Sequence, residues 1–307
     1  MRRLEDYGRR AVRQALRRGT LVLHLGPFAM QLKADSRALL AFLLSMYGAC
    51  HATLEAGVLA DFSLHVRAPN MIRRFVRRQI TPDPGFYFPT VPLPRPMAPL
   101  ALEMGMNLAV ALQCFRFAIY HAGVVADERG AIAISAFSGG GKSTLTAALM
   151  EEGFRLLSDE FAIMGLDEPG LYPYPRPVSL KNASVEIVRA FAGAEEMSTT
   201  LTGTPKGDIG YRRARPHELE MMHEPAMPKL LLFPQFSLDA EPRAEKVEPG
   251  DAVMRFIAGS PNYHALGEAA FGSLMAFADS VAAYDLHYGN TADSIALVKD
   301  LWREHGS

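Results

Sequence analysis

The sequence predicts an α/β protein with a phosphate-loop core and a smaller N-terminal α+β lobe. Three observations carry that prediction. Ala131-Ile-Ala-Ile-Ser135 reads as a strand, Ala136-Phe-Ser-Gly-Gly-Gly-Lys-Ser-Thr144 as a glycine loop, and Leu145-Thr-Ala-Ala-Leu-Met150 as a helix, in that order. Phe154-Arg-Leu-Leu-Ser-Asp-Glu160 is a second apolar strand that ends on two acids. Residues 81–99 are dense in proline, which excludes helix and marks an extended connection between lobes. The expected organisation is therefore residues 1–99 as the N-terminal lobe and residues 100–307 as the core domain.

Taken in order, an arginine-rich helix opens the chain. Residues 21–32 read as two strands around Gly26-Pro27, residues 36–46 as an apolar helix, and residues 61–67 as a further alternating strand. Residues 99–120 predict one long apolar helix that either lobe could take. Residues 122–126 and 131–135 bracket the polar turn Asp127-Glu-Arg-Gly130 and predict a hairpin feeding the glycine loop. Strands follow at residues 154–157 and 161–164, then a proline-rich turn through Pro177 and a helix near residues 183–191. Residues 195–223 read as a flexible polar region, residues 229–233 as a strand, and residues 264–283 and 291–303 as two closing helices. No repeat of solenoid length is present.

Composition bounds the function classes. A chain of 307 residues, 49% hydrophobic, has ample material for a buried core. A formal net charge of −1 argues against nucleic acid or an acidic membrane surface as partner. Locally, however, arginines crowd residues 2–18 and again residues 67–78. They read as solvated helix faces, with a surface for an acidic partner as the second reading. Cys50 and Cys114 stand far apart and outside any zinc or redox spacing, as expected for reduced thiols in a cytoplasmic protein. Neither a secretory signal nor a membrane-spanning run is expected.

The glycine loop has a specific chemistry. Gly139, Gly140 and Gly141 let successive N–H groups turn inward, and the helix that starts near Lys142 adds the positive end of its dipole, so an anion is wanted there. Ser138 through Thr144 become the candidate nucleotide-binding residues: Lys142 reaches the outer phosphates and Ser143 is placed to ligand magnesium. Ala136 stands where the usual pattern opens with glycine. The bland alternative is a tight strand-to-helix turn that happens to carry a lysine. Opposite the loop, one of the two acids can hold magnesium, and the other can orient or deprotonate an acceptor hydroxyl.

His121-Ala-Gly-Val-Val125, the loop Ser138-Gly-Gly-Gly-Lys-Ser143 and Gly153-Phe-Arg-Leu-Leu-Ser-Asp-Glu160 together resemble the HPr kinase/phosphorylase family in order and spacing. Pro175-Arg-Pro-Val-Ser-Leu-Lys-Asn-Ala-Ser184 and Asn262-Tyr-His-Ala-Leu-Gly267 are similar to the branch called HprK-related kinase A. The resemblance implies an HPr-kinase-like, PEP-carboxykinase-like core. It implies His121 near the transferred phosphate, Lys142 and Ser143 on nucleotide and magnesium, and Asp159 as the acid that deprotonates the acceptor. Glu160 stands where HPr kinases carry a second aspartate and is the other expected magnesium residue. The N-terminal lobe and the late substrate motif depart from the family. Residues 206–213, with glycines flanking basic residues, are a candidate mobile loop closing over phosphate or an ordinary solvated loop. Arg176 and Lys181 are candidate substrate contacts.

The expected function is an ATP- and magnesium-dependent kinase acting on a serine or threonine hydroxyl of a small protein or peptide. The alternatives are a small-molecule alcohol kinase and a nucleotide-binding regulatory module without transfer activity. The branch further implies a PqqD-like peptide-binding partner, and the family a homo-oligomer.

Overall fold

The computed structural model describes residues 1–137, 139–168 and 170–306. The chain is a mixed α/β protein that folds as two compact units. One comprises Met1–Cys114 with Leu201–Gly207, the other Phe115–Thr200 with Asp208–Ser307.

The first unit is built on a seven-stranded mixed sheet in the order Arg2–Arg3, His51–Thr53, Leu21–Leu25, Phe28–Ala34, Phe62–Arg67, Gln79–Asp83, Leu93–Pro94. The pair Phe28–Ala34 and Phe62–Arg67 runs parallel, while the hairpin around Gly26-Pro27 is antiparallel. Helix Arg37–Met46 starts where Ser36 accepts a bond from the Leu39 amide at 3.3 Å, an N-cap that satisfies one orphan donor. Helix Ala98–Gln113 packs on strands Phe62–Arg67 and Gln79–Asp83. Gly105 permits that approach: a Cβ there would lie 2.6 Å from Leu64 Cδ1 and 2.7 Å from Pro82 Cβ. Inside the unit, the Tyr47 hydroxyl donates to buried Glu103 at 2.5 Å. The change of unit after Cys114, rather than after residue 99, follows from this packing. The single helix expected over residues 99–120 is likewise corrected: it ends at Gln113, and Ala118–Tyr120 is a strand.

The second unit carries a six-stranded mixed sheet in the order Arg155–Ser158, Gly123–Asp127, Gly130–Ile134, Pro228–Phe236, Ala282–Tyr288, Arg243–Lys246. Gly130–Ile134, Pro228–Phe236 and Ala282–Tyr288 run parallel; Gly123–Asp127 forms the antiparallel hairpin that feeds the glycine loop. Alternate residues of the central strands face two separate cores. Val124, Ala131, Ala133, Leu231 and Phe233 meet helices Pro249–Ile257 and Glu268–Ser280. Val125, Ile132, Ile134, Leu230 and Leu232 meet helices Lys142–Glu151 and Thr291–His305. Covering both faces explains why these strands read as unbroken apolar runs.

Three further expectations change. The residues expected to form a helix over 264–283 end in strand Ala282–Tyr288, whose alternation is hidden by its own small and polar residues. Helix Pro249–Ile257 and strand Arg243–Lys246 lie in a stretch that had no assigned element. The region expected to be flexible over residues 195–223 instead holds strands Leu201–Thr204 and Gly207–Arg212 and helix Pro216–Glu220. Gly207–Arg212 pairs with Val178–Lys181 from Val178↔Arg212 to Lys181↔Ile209. The candidate phosphate-closing loop at residues 206–213 is therefore strand over Gly207–Arg212, with Lys206 in the turn before it. Arg212 is buried and donates to Glu151 at 2.7 Å, and Arg213 pairs with Glu196 at 2.7 Å, so neither arginine is turned to a ligand.

No helix among the described residues is long and apolar enough to cross a membrane.

Candidate active site

The glycine loop leaves strand Gly130–Ile134, whose every residue is buried, and enters helix Lys142–Glu151. Gly139 and Gly141 have φ of +92° and +96°, a region that costs an L-residue about 1–2 kcal/mol. Gly139 borders open space, whereas a Cβ at Gly141 would overlap the Tyr288 hydroxyl. Gly141 is the N-cap of the helix and supplies no side chain, so the first helical N–H groups stay uncapped by the chain itself. Ser138, expected among the nucleotide-binding residues, lies outside the described residues. Thr144 Oγ1 donates to Ser184 Oγ at 2.9 Å, which ties the helix start to helix Ala183–Ala192.

Strand Arg155–Ser158 delivers the acids. It is anchored by the buried Glu218 carboxylate, which accepts from the Leu156 amide at 3.1 Å and the Arg215 amide at 2.6 Å. The Ser158 hydroxyl accepts from the Phe161 amide at 3.2 Å and closes the turn that projects Asp159 and Glu160. Asp159 is 5% exposed. Its Oδ2 accepts from Ser143 Oγ at 3.0 Å and from the Ser179 amide at 3.0 Å. Its Oδ1 is buried without a hydrogen-bond partner among the described residues. Lys142, 8% exposed, donates to the Asp159 carbonyl, and its ammonium lies 3.8 Å from Asp159 Oδ1 and 3.9 Å from Glu160 Oε2.

Glu160 in turn lies 3.8 Å from His121 Nδ1. Burial pushes the Glu160 carboxyl up, but Lys142, His121, Arg176 and Lys181 together outweigh it and hold the group below its ordinary value. Burial, with Lys142 and Lys181, draws His121 below its ordinary value against the opposing pull of Glu160 and Asp159. The imidazole is thus neutral at pH 7. Its amide donates to the Gly259 carbonyl at 3.0 Å, and a Cβ on Gly259 would crowd the His121 Cβ at 3.2 Å.

The structure thus brings Lys142, Ser143, Asp159, Glu160 and His121 together. It joins Ser143 to Asp159, and among the described residues no bond joins Ser143 to Glu160. Arg176, stacked 4.8 Å from the Tyr174 ring centre, and Lys181 reach the cluster through their charges on Glu160. Ser179 was not singled out, since a backbone amide that binds a carboxylate twenty positions away leaves no mark in residue type.

The residues fit a nucleotide with its divalent cation: left-handed glycines line an uncapped helix start, and an orphaned buried carboxylate oxygen faces a lysine. In class, this is a mixed α/β protein with a glycine loop set against two strand-end carboxylates. No family model matches the chain, and no curated protein matches it. Among solved structures, the Hpr(Ser) kinase/phosphatase from Coxiella burnetii matches over 61% of this chain and 94% of its own, at 12% identity and a TM-score of 0.27. A likeness that distant carries no argument about the chemistry, which rests on the site itself.

Proposed function

We propose that the protein is an ATP- and magnesium-dependent phosphotransferase, HPr-kinase-like in its chemistry, acting on a serine or threonine hydroxyl of a small protein or peptide. The observation that supports this most is the division of labour within one carboxylate. Asp159 Oδ2 is held by Ser143 and Ser179, which orients Oδ1, and Oδ1 accepts no hydrogen bond, with only the Lys142 ammonium near it at 3.8 Å. In the reaction, Oδ1 accepts the proton of the acceptor hydroxyl. The freed oxygen forms a bond to the γ-phosphorus of ATP as the bond to the β-phosphate oxygen breaks, and ADP leaves.

Lys142 and the uncapped N–H groups at the start of helix Lys142–Glu151 would hold the moving phosphoryl group. Neutral His121 orients Glu160. Ser143 and Glu160 would hold magnesium, which neutralises charge on the phosphate oxygens when bound. A second assignment has its own observation, the 3.0 Å contact of Ser143 with Asp159. There Asp159 and Ser143 hold the cation, and Glu160, beside His121, is the base.

The test follows label from γ-labelled ATP into a size-fractionated lysate, comparing wild type with Asp159→Asn and Glu160→Gln. A labelled macromolecular band lost in Asp159→Asn, with nucleotide affinity nearly intact, supports the first assignment. Loss of transfer in Glu160→Gln, with weakened magnesium dependence in Asp159→Asn, supports the second. Label confined to small molecules overturns the peptide acceptor, and no acceptor-dependent ADP overturns the kinase.

A further inference from the structure

The first unit contains a cleft of about 750 Å³ that the phosphoryl-transfer reading does not use. Its rim carries Arg13, Arg17, Arg37, Arg78 and Arg95 against a single acid, Asp35. These arginines come from separate parts of the chain: helix Arg9–Arg18, the first position of helix Arg37–Met46, the approach to strand Gln79–Asp83, and the turn Arg95–Met97. Arg17 lies 3.3 Å from Asp35, and Arg95 donates to the Asp35 carbonyl at 3.0 Å. Arg13, Arg37 and Arg78 have no ion pair or side-chain hydrogen bond among the described residues. Three unpaired guanidinium groups around one concavity repel one another, and an anionic ligand relieves that repulsion.

The floor decides which anion. Leu16, Ala34 and Leu40 are buried beneath the rim, and Ala38 and Pro96 extend the apolar surface outward. A site for an inorganic anion converges its donors on one point, whereas here the charges ring an apolar base. No aromatic side chain among the described residues lines the cleft, so none of them offers the stacking platform that nucleic-acid bases use. The volume falls in the usual range for ligand clefts, about 300–1,000 Å³. Guanidinium forks match carboxylates in bidentate geometry. We infer that this cleft binds a short acidic peptide segment, its carboxylates on Arg13, Arg37 and Arg78 and its apolar side chains on Leu16 and Leu40. The inference is independent of the kinase reading, because none of these residues belongs to the phosphate-loop site.

Fluorescence anisotropy on the full chain tests it, with a labelled synthetic peptide alternating glutamate and leucine as probe. The analogue with glutamine for glutamate, tripolyphosphate and an oligothymidylate serve as comparisons. The triple variant Arg13→Gln/Arg37→Gln/Arg78→Gln is expected to weaken binding about tenfold or more, since exposed pairs contribute modestly but add. The variant Arg9→Gln/Arg10→Gln/Arg18→Gln removes equal charge outside the cleft, all of it from helix Arg9–Arg18, and is expected to stay within about twofold of wild type. Arg13→Lys/Arg37→Lys/Arg78→Lys keeps the charge and is expected to fall between wild type and the glutamine triple. These side chains are exposed, and a circular dichroism spectrum matching wild type accompanies each variant. Equal weakening by both glutamine triples overturns the inference, as does binding of the neutral peptide as tightly as the acidic one. So do displacement by tripolyphosphate or oligothymidylate at lower concentration than by unlabelled peptide, and absence of binding.

Discussion

Replacing Gly141 by alanine separates two physical demands on the phosphate loop. The first is conformational: φ of +96° costs an alanine about 1–2 kcal/mol. The second is steric, because the new methyl would overlap the Tyr288 hydroxyl, and the buried Tyr288 ring has little room to retreat. Overpacking of this kind costs about 1–3 kcal/mol, so Gly141→Ala should lose about 2–5 kcal/mol in all. Gly139→Ala is the internal control. Its φ is nearly the same, +92°, but its Cβ would enter open space, so it should lose only the conformational part, about 1–2 kcal/mol.

Tyr288→Phe closes the cycle. Without the hydroxyl, the nearest ring carbon would sit 3.5 Å from the alanine methyl, an ordinary contact. The double variant should therefore recover the steric loss, about 1–3 kcal/mol, and keep the conformational one. Urea unfolding followed by tryptophan fluorescence reads the relevant unit, because the chain has one tryptophan, Trp302. It lies in the second core, its ring 5.7 Å edge-on to Phe154 and its indole nitrogen donating to Asp127 at 2.8 Å. Equal losses for Gly139→Ala and Gly141→Ala, or no recovery with Tyr288→Phe, would refute the steric argument.

Other consequences can be checked with the same protein. Glu151 accepts from buried Arg212 at 2.7 Å and pairs with Arg215 at 2.9 Å; Glu151→Ala leaves a buried guanidinium unpaired and should cost on the order of 3 kcal/mol in urea unfolding, whereas an unchanged midpoint would show the pair to be dispensable. Lowered His121 and Glu160 values act in the same direction: the unfolded chain takes up protons first, so the stability these two groups contribute is full above pH 6.5 and falls as pH drops through the folded His121 value and then, below pH 4.5, through that of Glu160. His121→Gln should flatten the upper part of that decline, leaving the shares of His65 and His217, which are lowered in the same sense; an unaltered pH profile would remove His121 from the account. Cys50 and Cys114 are both buried, and burial raises the Cys50 thiol well above its ordinary value, so the native protein should resist a thiol reagent that titrates both after unfolding in urea.

The strand, glycine loop and helix around Lys142 were legible because each is written in neighbouring residues: unbroken apolar runs, three consecutive glycines, a lysine at the helix start. The acids at residues 159 and 160 were legible by the same local logic. Arg212 misled for the opposite reason. An arginine among glycines reads as a solvated loop, whereas the approach of Glu151 from another element, with the Arg213 carbonyl, makes its burial tolerable. Strand Ala282–Tyr288 was missed because its pairing with Pro228–Phe236, not its own composition, holds it extended.

By itself, the sequence determined the α/β class, the strand–glycine loop–helix unit and the position of the two acids at a strand end, since backbone preference and side-chain period act over a few residues. Tertiary structure alone decided that Ser143 and the Ser179 amide share one oxygen of Asp159 while the other is buried without a hydrogen bond, and that arginines from residues 13 to 95 line one cleft. Those are contacts between distant residues, and long-range packing sets them rather than any pattern along the chain.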